Sequence, residues 1–219
     1  GVITAEIAKE TPIQTLLSGP VGGAVGNATL SNMLGYKNMI GVDMGGTSYD
    51  VSMVVDGKPD VSTEVHLEGF PILVPMVNIY TIGAGGGSIA WLEAGGLRVG
   101  PRSAGSVPGP ACYGRGGTQP TITDANVVLG RLDPEGFLGG RMTLDKEASI
   151  RAMETISGTL HMTPQETAEG ICRIADAKMA DAIRQLTVRK GIDPREFVLV
   201  AFGGAGPMHA CTTAEELDI

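Results

Sequence analysis

Two short glycine-rich segments contain the residue types that bind phosphate. The first reads Asp-Met-Gly-Gly-Thr-Ser-Tyr-Asp over residues 43–50. Gly45 and Gly46 let the backbone turn tightly and present its N–H groups without an obstructing Cβ atom, which suits a polyphosphate. The hydroxyl groups of Thr47 and Ser48 add further donors. We therefore predict that these four residues bind a phosphate-bearing cofactor.

Two carboxylates flank the same pair of glycines. Asp43 ends an apolar stretch of strand length. It could hold a Mg²⁺ ion there or orient a nucleophile, because Mg²⁺ keeps several waters and takes only one or two carboxylates. Asp50 lies one turn away. We name both as candidate catalytic residues, and Asp43 also as a metal ligand. The alternative is an ordinary hairpin, in which the glycines adopt positive φ and the acids cap the turn.

The second glycine-rich segment follows another apolar run, residues 197–202, which predicts a strand covered on both faces. The turn after it comprises Gly203, Gly204, Ala205 and Gly206. A helix is predicted to begin at Pro207, and the backbone N–H groups at a helix start are open to a nucleotide. We therefore predict cofactor binding here. The alternative is a turn that needs glycine only for close packing. His209 lies just beyond and is a further candidate.

Other candidates have simpler interpretations beside the functional ones. Asp124 is most simply a helix cap before Ala125, although an acid between two glycine-rich segments could also bind a metal, and we name it as a metal ligand. Cys112 could be a nucleophile only with a neighbouring base, so a buried inert thiol is favoured. The glycines of residues 82–88 could approach a ligand closely, and a packing role is equally consistent with them.

The composition excludes several classes of protein. Of 219 residues, 33 are glycine and 42% are apolar, so the chain can bury a core and is not disordered. A net charge of −8 without a basic cluster argues against partners such as nucleic acid or an anionic membrane. The sequence has no apolar run of about 18 residues, which a membrane span would need. Its three dispersed cysteines indicate reduced thiols and a cytoplasmic location.

The apolar pattern predicts an α/β domain. A capping box at Thr163 begins a long amphipathic helix that ends at Gly191. The glycines in residues 83–141 favour short strands over long helices. The other predicted elements are a small-residue helix over 20–34, a strand-turn-strand unit over 39–55, short strands at 89–92 and 97–99, and a helix over 144–156.

Several motifs in order resemble those of the hydantoinase A and 5-oxoprolinase family, which includes ketone carboxylase subunits. They are Ser18–Gly23, Asp43–Val51, Ile82–Ala90, Gly100–Gly105, Pro108–Gly117, Thr123–Asn126 and Phe202–Ala210. The resemblance covers nearly the whole chain. It implies one half of the superfold of actin, sugar kinases and chaperone ATPases. Within a single domain over 1–219, residues 18–57 and 144–219 would form a ribonuclease H-like core, and residues 58–143 a glycine-rich insertion.

The resemblance also implies a function. ATP, with Mg²⁺ or another divalent metal, would phosphorylate the oxygen of a cyclic amide or an enolate, and a hydantoinase B-like subunit or domain would complete hydrolysis or carboxylation. Residues 43–50 match the family's second phosphate-binding turn, and residues 203–206 its adenosine-side turn. Such transfer depends mainly on positioning and charge neutralisation. The expected activity is ATP-dependent hydrolysis of a hydantoin, 5-oxoproline or a similar lactam.

Two features depart from the family pattern. The family's first phosphate loop is another Asp-x-Gly-Gly-Thr turn, and this chain, which begins at Gly1, has no second copy. We expect an N-terminal domain of the same polypeptide to supply it, and the isolated chain to be inactive. Where the family reads Pro-Met-Val-Asp-Ile-His-Thr, residues 75–81 read Pro-Met-Val-Asn-Ile-Tyr-Thr. We therefore do not name Asn78 or Tyr80 as catalytic.

Three alternatives to the cyclic amide hydrolase stay open. The first is a subunit of an ATP-dependent ketone carboxylase, because no side chain can be assigned to a ring or to a ketone. The second is a nucleotide-regulated binding module, since one fold can serve as a switch without chemistry of its own. The third is a cysteine-dependent acyl transferase that acts through Cys112.

Overall fold

The computed structural model describes residues 3–15, 17–62, 65–67, 70–72 and 75–219. The helices are α1 (Ala5–Glu10), α2 (Ser18–Leu34), α3 (Ile122–Val128), α4 (Lys146–Leu160), α5 (Pro164–Val188) and α6 (Gly206–Glu215). Short 3₁₀ helices cover Pro12–Thr15, Ala111–Tyr113, Phe137–Gly140 and Pro194–Glu196. None of the described helices has the length and apolar character needed to span a bilayer.

The strands are β1 (Met39–Met44), β2 (Tyr49–Val55), β3 (Lys58–Pro59), β4 (Val61–Ser62), β5 (Val65–Leu67), β6 (Phe70–Ile72), β7 (Met76–Val77), β8 (Ile79–Ile82), β9 (Ser88–Glu93), β10 (Gly96–Ser103) and β11 (Val198–Phe202). The central sheet has the order β11-β1-β2-β3, and β8 also pairs with β2. β11 is parallel to β1, whereas β2 is antiparallel to β1, β3 and β8. The pairs β9–β10, β4–β7 and β5–β6 form separate hairpin-like sheets.

The strand register brings the polar residues of the first glycine-rich segment together. Asp43 of β1 lies opposite Asp50 of β2, and Asp50 lies opposite Thr81 of β8. Residues directly opposite one another in antiparallel strands point to the same face of a sheet. The two carboxylates and the hydroxyl group therefore form a row across the sheet, at the end of β1 where the glycine turn begins.

Helix α2 covers the face of the sheet that carries this row. Met39 and Val54, which share that face with Asp43, pack against Ala28 of the helix. A Cβ atom at Gly23 would lie 2.7 Å from the ring of Phe202 on β11. The helix can therefore approach the sheet this closely only because residue 23 has no side chain.

Helix α5 covers the opposite face, and its buried residues recur at the four-residue steps expected of one helix face. Together with β1 and β2 they form the main core, which includes Val42, Met44, Tyr49, Val51, Met53, Ile171, Ala175, Met179 and Ile183. The predicted capping box is confirmed. Thr163 accepts the N–H of Glu166 at 3.2 Å, and the Glu166 carboxylate accepts the N–H of Thr163 at 2.7 Å.

Most of the predicted elements are confirmed within a few residues, including the strand-turn-strand unit and the alternation of strands with helices. The strand predicted at 197–202 is packed on both faces, as expected: Leu199 and Ala201 pack against the main core, and Val200 packs against the cluster under α2. Its residues are still partly exposed, because among the described strands β11 pairs only with β1 and so forms an edge of the sheet. The division into a core and an insertion over 58–143 stays a prediction, although β8 within that range belongs to the central sheet.

Neighbouring glycines in α2 allow a matched test of this packing. We expect Gly23→Ala to lower the free energy of unfolding by about 1–2 kcal/mol, because the new methyl group overpacks against Phe202. Gly22→Ala should raise it by about 0.5–1 kcal/mol, because a Cβ there meets no atom within 4 Å and alanine favours a helix. Urea unfolding of both variants measures the difference. Equal effects would contradict the close approach of α2 to β11.

Candidate functional site

The turn between β1 and β2 leaves backbone donors without partners. Gly45 donates its N–H to the carbonyl oxygen of Ser48 at 3.2 Å, which closes the turn. Within the described parts of the chain, the N–H groups of Gly46 and Thr47 donate to no oxygen. Both residues are exposed. Unpaired amides in a glycine turn are anion-binding groups, so the geometry supports phosphate binding here.

Asp43 is the carboxylate without a fixed partner. It is half-buried, and no described group donates a hydrogen bond to its side chain. Burial, followed by the negative charge of Asp50, raises the pKa of Asp43 above its ordinary value. A carboxylate whose charge is disfavoured and uncompensated is a candidate functional residue.

Asp50, in contrast, is held in place by hydroxyl groups. Ser48 donates its Oγ–H to Asp50 at 3.1 Å, and Thr81 donates its Oγ1–H at 2.5 Å. Opposite residues in antiparallel strands have Cβ atoms about 4.5–5.5 Å apart, so Asp43 and Asp50 can face one cation. In the described ranges no group of three His, Cys, Asp or Glu residues is placed to hold a metal. Two carboxylates are nevertheless enough for Mg²⁺, which binds one or two carboxylates and keeps several water ligands.

The second glycine turn lies beside the first because β11 runs parallel to β1. Ala205 donates its N–H to the carbonyl oxygen of Met44 at 2.9 Å. Gly203 has a φ of +80°, and a Cβ atom there would collide with the Asp43 carboxylate and lie 2.6 Å from the oxygen of Met44. Within the described residues the N–H group of Gly204 has no acceptor. The two turns that the sequence separates by about 150 residues therefore form a single site.

A third glycine segment, which sequence reasoning did not assign to the site, joins these two turns. Gly86 donates its N–H to the carbonyl oxygen of Gly45 at 2.9 Å, and Gly87 donates to that of Gly46 at 2.7 Å. Thr123 of α3 donates both its N–H and its Oγ1–H to the oxygen of Gly86, at 2.8 and 2.9 Å. The segment thus packs against the first glycine turn, residues 45–48, and contributes to the site through contacts that have no signal in the local sequence.

These segments line a cleft of about 540 Å³. Glycines and Ala205 form part of its lining. The larger lining groups come from the 3₁₀ helix Ala111–Tyr113, from α3 and α6 and from the loop between α3 and α4, namely Tyr113, Thr123, Leu132, Asp133, Phe137, Leu138 and Met208. A cleft lined both by free amides and by apolar side chains matches a ligand with both a phosphate part and a flat apolar part.

Asp124 is a structural residue in this geometry. Its side chain is fully buried, and it is the third helical residue of α3, where it forms a capping box with the N-cap Thr121. Its two oxygens accept five hydrogen bonds, from the N–H groups of Ala111, Cys112 and Thr121 and from the hydroxyls of Thr121 and Ser149, at 2.7–3.1 Å. A carboxylate offers about four acceptor positions. The predicted metal role therefore has no support here, and the capping interpretation holds with Thr121 as the cap.

His209, the further candidate just beyond the second glycine turn, is not among the described residues that line the cleft. Its side chain is 1% exposed, and its Nδ1 lies 2.6 Å from the Asp176 carboxylate of α5. Its Nε2 lies 3.2 Å from Nδ2 of Asn126 in α3. The ring thus points into the interior between three helices, where it anchors the first turn of α6 and so the glycine turn before it.

Cys112 does not have the environment of a nucleophile. Its thiol is fully buried, and burial, followed by the charge of Asp124, raises its pKa far above the ordinary value. Burial likewise raises the pKa of Cys172 to about 12, whereas Cys211 on α6 is exposed. Because the thiolate is the reactive form, the acyl transferase alternative loses its support.

The two positions that depart from the family pattern lie away from the cleft. Asn78 donates its Nδ2–H to the Asp60 carboxylate at 3.0 Å, and that carboxylate also pairs with Lys190. Tyr80 lies opposite Val51, on the face of the sheet that α5 covers. Neither residue lines the cleft between the glycine turns.

Fold and site together define the class of protein: an α/β domain with a glycine-lined cleft at the ends of adjacent strands. The model of the hydantoinase/oxoprolinase family matches residues 1–219. The chain belongs to this family, as the motifs predicted.

Named relatives are identical to this chain at between a third and a half of the aligned positions. The acetophenone carboxylase gamma subunit of Aromatoleum aromaticum is 45% identical, over 94% of this chain and 29% of its own length. The caprolactamase subunit alpha of Pseudomonas jessenii is 40% identical, over 99% of this chain and 32% of its own length. The nucleotide-free structure of acetone carboxylase is similar with a TM-score of 0.86 and 35% identity, over 93% of this chain and 29% of that chain. The chain thus spans about a third of these relatives.

The raised pKa of Asp43 predicts that this carboxylate costs stability. Its ionised form is disfavoured in the folded chain, so the cost is present above its raised pKa and disappears below the ordinary pKa of 3.8. We expect Asp43→Asn to raise the free energy of unfolding at pH 7, with a gain that shrinks as the pH falls towards 3.8. Urea unfolding across this range measures the gain. Asp56→Asn, at an exposed turn, is the matched control, and a loss of stability in Asp43→Asn would contradict the prediction.

The five hydrogen bonds of Asp124 predict a structural phenotype. We expect Asp124→Asn to lower the free energy of unfolding by about 3 kcal/mol. The side-chain NH₂ group of asparagine would face buried N–H and O–H groups that now donate to the carboxylate, and these would lose their acceptor. The loss should be the same with EDTA and with Mg²⁺. Asp145→Asn, which alters an exposed N-cap bonded to Ala148, should cost about 1 kcal/mol or less. A loss that appears only when Mg²⁺ is present would restore the metal role.

Proposed function

We propose that this chain forms one side of the ATP site of an enzyme that activates a carbonyl oxygen by phosphorylation. The observation that carries the proposal is the position of Asp43, an unpartnered carboxylate of raised pKa between two glycine turns with free amides. In this proposal the sheet with α2 and α5 is the ribonuclease H-like half of the actin, sugar-kinase and chaperone-ATPase superfold. Residues 203–206 form its adenosine-side turn.

Each group at the turn has a separate role in the proposal. The N–H groups of Gly46 and Thr47 donate to the terminal phosphates, and the hydroxyl of Thr47 adds a donor. The hydroxyl of Ser48 donates to Asp50 instead. Asp43 and Asp50 hold a divalent cation, Mg²⁺ in the first instance. The cation supplies charge neutralisation for the phosphates. Asp50 stays fixed by its two hydroxyl donors while Asp43 is free to move towards the cation.

The reaction that we propose begins with attack of the amide oxygen of a lactam on the γ-phosphorus of ATP. The bond between that phosphorus and the β-γ bridging oxygen breaks, and ADP leaves. Water then adds to the amide carbon, and the ring C–N bond breaks to give an amine and an acyl phosphate. A second water hydrolyses the acyl phosphate to a carboxylate and inorganic phosphate. Since a hydantoinase B-like subunit or domain would complete this second half, the residues of the described cleft have to serve only the first.

A ketone carboxylase subunit is the second candidate, favoured by the 45% identity to the acetophenone carboxylase gamma subunit and by the TM-score of 0.86 with acetone carboxylase. Here the oxygen of an enolate attacks the same phosphorus. The second half of the reaction is then carboxylation with bicarbonate and not addition of water. Both candidates use the same cleft for the first step. A nucleotide-regulated binding module would use the cleft without either second substrate.

The remaining side of the site belongs to another part of the polypeptide in this proposal. The first phosphate loop of the family has no copy in this chain, and the chain spans about a third of its relatives. We propose that an N-terminal domain supplies this loop and that the isolated chain does not turn over ATP.

Calorimetric titration with Mg-ATP tests the proposal on the complete polypeptide and on residues 1–219 alone. We expect Asp43→Asn to weaken Mg-ATP binding by about tenfold or more, since a charge-assisted contact is lost. Asp56→Asn should leave binding unchanged. Absence of Mg-ATP binding to the complete polypeptide, or equal binding by both variants, would contradict the proposal.

ADP release then separates the candidate activities. Stimulation by 5-oxoproline, caprolactam or hydantoin would identify a cyclic amide hydrolase. Stimulation by acetone or acetophenone with bicarbonate would identify the carboxylase. Binding of Mg-ATP without stimulation by any of these compounds would favour the regulatory module.

A further inference from the structure

The loop between α3 and α4 contributes five residues to the lining of the glycine-lined cleft, namely Leu132, Asp133, Gly136, Phe137 and Leu138. Asp133 is the one carboxylate among the described residues that line the cleft, and no lysine or arginine is among them. A carboxylate repels phosphate, whereas the free N–H groups of Gly46 and Gly204 attract it. This loop therefore faces a part of the ligand that carries no phosphate.

One oxygen of the Asp133 carboxylate is available to a ligand. Oδ1 accepts the N–H of Glu135 at 3.1 Å, which fixes the side chain against its own loop. Among the described residues Oδ2 accepts no hydrogen bond, and no basic side chain pairs with the carboxylate. Gly136 leaves room beside this oxygen, because a Cβ atom there would lie 2.7 Å from Oδ2. An ionised carboxylate offers about four acceptor positions, so Asp133 can accept further hydrogen bonds from donors in the cleft.

Leu138, in the same loop, has a strained backbone in the lining of the cleft. Its φ is +53° and its ψ is +33°, in the left-handed region that a leucine rarely adopts. The residue is 58% exposed, so the strain does not serve the packing of the core. Strained residues persist at ligand clamps, and an exposed leucine gains burial only when something covers it. The geometry of Leu138 therefore indicates a ligand with an apolar surface.

Two aromatic rings that line the cleft add flat apolar surface. The ring centres of Tyr113 and Phe137 are 5.7 Å apart, with planes tilted by 38°. Aromatic rings pack well against another ring. The cleft thus offers free amides, a carboxylate oxygen and an apolar surface in one compartment. A nucleoside triphosphate has the matching parts, since its phosphates, the vicinal hydroxyls of its ribose and its base are joined in that order. Carboxylates bind ribose hydroxyls in the same way in dinucleotide-binding folds.

We propose that Asp133 recognises the ribose of the bound nucleotide, with Oδ2 accepting hydrogen bonds from its vicinal hydroxyl groups, and that Phe137 and Leu138 cover the base. The inference rests on the proposed function and deepens it, because it makes the cleft selective for ribonucleotides. The N–H groups of Gly46 and Thr47 bind phosphates of any nucleotide alike. Discrimination by the sugar therefore depends on Asp133.

Two nucleotides that differ only in the sugar hydroxyls test this inference. Mg-ATP and Mg-2′,3′-dideoxy-ATP are titrated calorimetrically into the complete polypeptide. We expect the wild type to bind Mg-ATP about tenfold or more tightly than the dideoxy compound, as charge-assisted hydrogen bonds would give. In Asp133→Asn this ratio should fall below about twofold. Asparagine keeps an oxygen for the N–H of Glu135, so the loop is retained, whereas its NH₂ group would face the hydroxyls with a donor.

Mg-tripolyphosphate, which has neither sugar nor base, reports the phosphate turn in the same variants. Its affinity should be equal in the wild type and in Asp133→Asn. The matched control is Glu135→Gln, at an exposed position of the same loop that is not among the described residues lining the cleft. It should keep the full ratio between the two nucleotides.

Several outcomes would overturn the ribose site. They are equal affinity of the wild type for the two nucleotides, an unchanged ratio in Asp133→Asn, and an equal loss of tripolyphosphate affinity in that variant. A preference for Mg-GTP over Mg-ATP that Asp133→Asn abolishes would assign the carboxylate to the base and overturn it too. In each case binding of Mg-ATP by the wild type would leave the proposed function standing. Absence of binding by both Mg-ATP and Mg-tripolyphosphate would contradict the proposed function and this inference with it.

Leu138→Asn separates a ligand clamp from a role in the fold. Asparagine tolerates the left-handed backbone at this position, and the leucine that it replaces is mostly exposed. We expect the melting temperature to stay unchanged or to rise. Mg-ATP and its dideoxy analogue should both lose affinity by about threefold or more, because they share the base that loses its cover. Mg-tripolyphosphate should bind as it does to the wild type. Unchanged affinity for both nucleotides would remove Leu138 from the site.

Discussion

The site depends on direct contact between backbone segments, which only glycine permits. The turn between β1 and β2 is held on one side by the N–H groups of Gly86 and Gly87, and the end of β1 is held on the other by the N–H of Ala205 before α6. A Cβ atom at Gly85 would lie 2.7 Å from the oxygen of Gly46. A side chain can change its rotamer to relieve a close contact, whereas backbone cannot. The distances between these backbone segments are therefore fixed by direct contact. The high glycine content of the chain is thus partly a packing requirement of the cleft.

The electrostatics of the cleft oppose the stability of the chain. Asp43 and Asp50 face each other across β1 and β2, and burial, followed by the negative charge of Asp50, raises the pKa of Asp43. A bound cation would favour the ionised form of Asp43, so the free energy that this charge costs in the empty chain would be regained as binding affinity. Asp50, in contrast, is held in place by hydrogen bonds from the hydroxyl groups of Ser48 and Thr81. The two acids therefore differ in role although they share one row.

The positions of the glycine turns were predictable because strand ends and helix starts have local signals. An apolar run that ends in glycine identifies the turn, and Thr163 with Glu166 identifies the start of α5. The direction in which His209 points was not predictable, because it depends on which neighbours pack around a ten-residue helix. The participation of Gly86 was equally hidden, since its partner Gly45 is 41 positions earlier and the contact is formed only by the fold.

The three thiols differ enough in their surroundings to make the chain selectively reactive. Alkylating reagents need the thiolate, which burial suppresses at Cys112 and Cys172. Cys211 is the exposed thiol, and it lies on α6, five residues after Gly206. A maleimide dye would therefore attach at one position without mutation of the others. Because α6 begins at the second glycine turn, which lines the cleft, the dye would report any movement of that helix when the cleft fills.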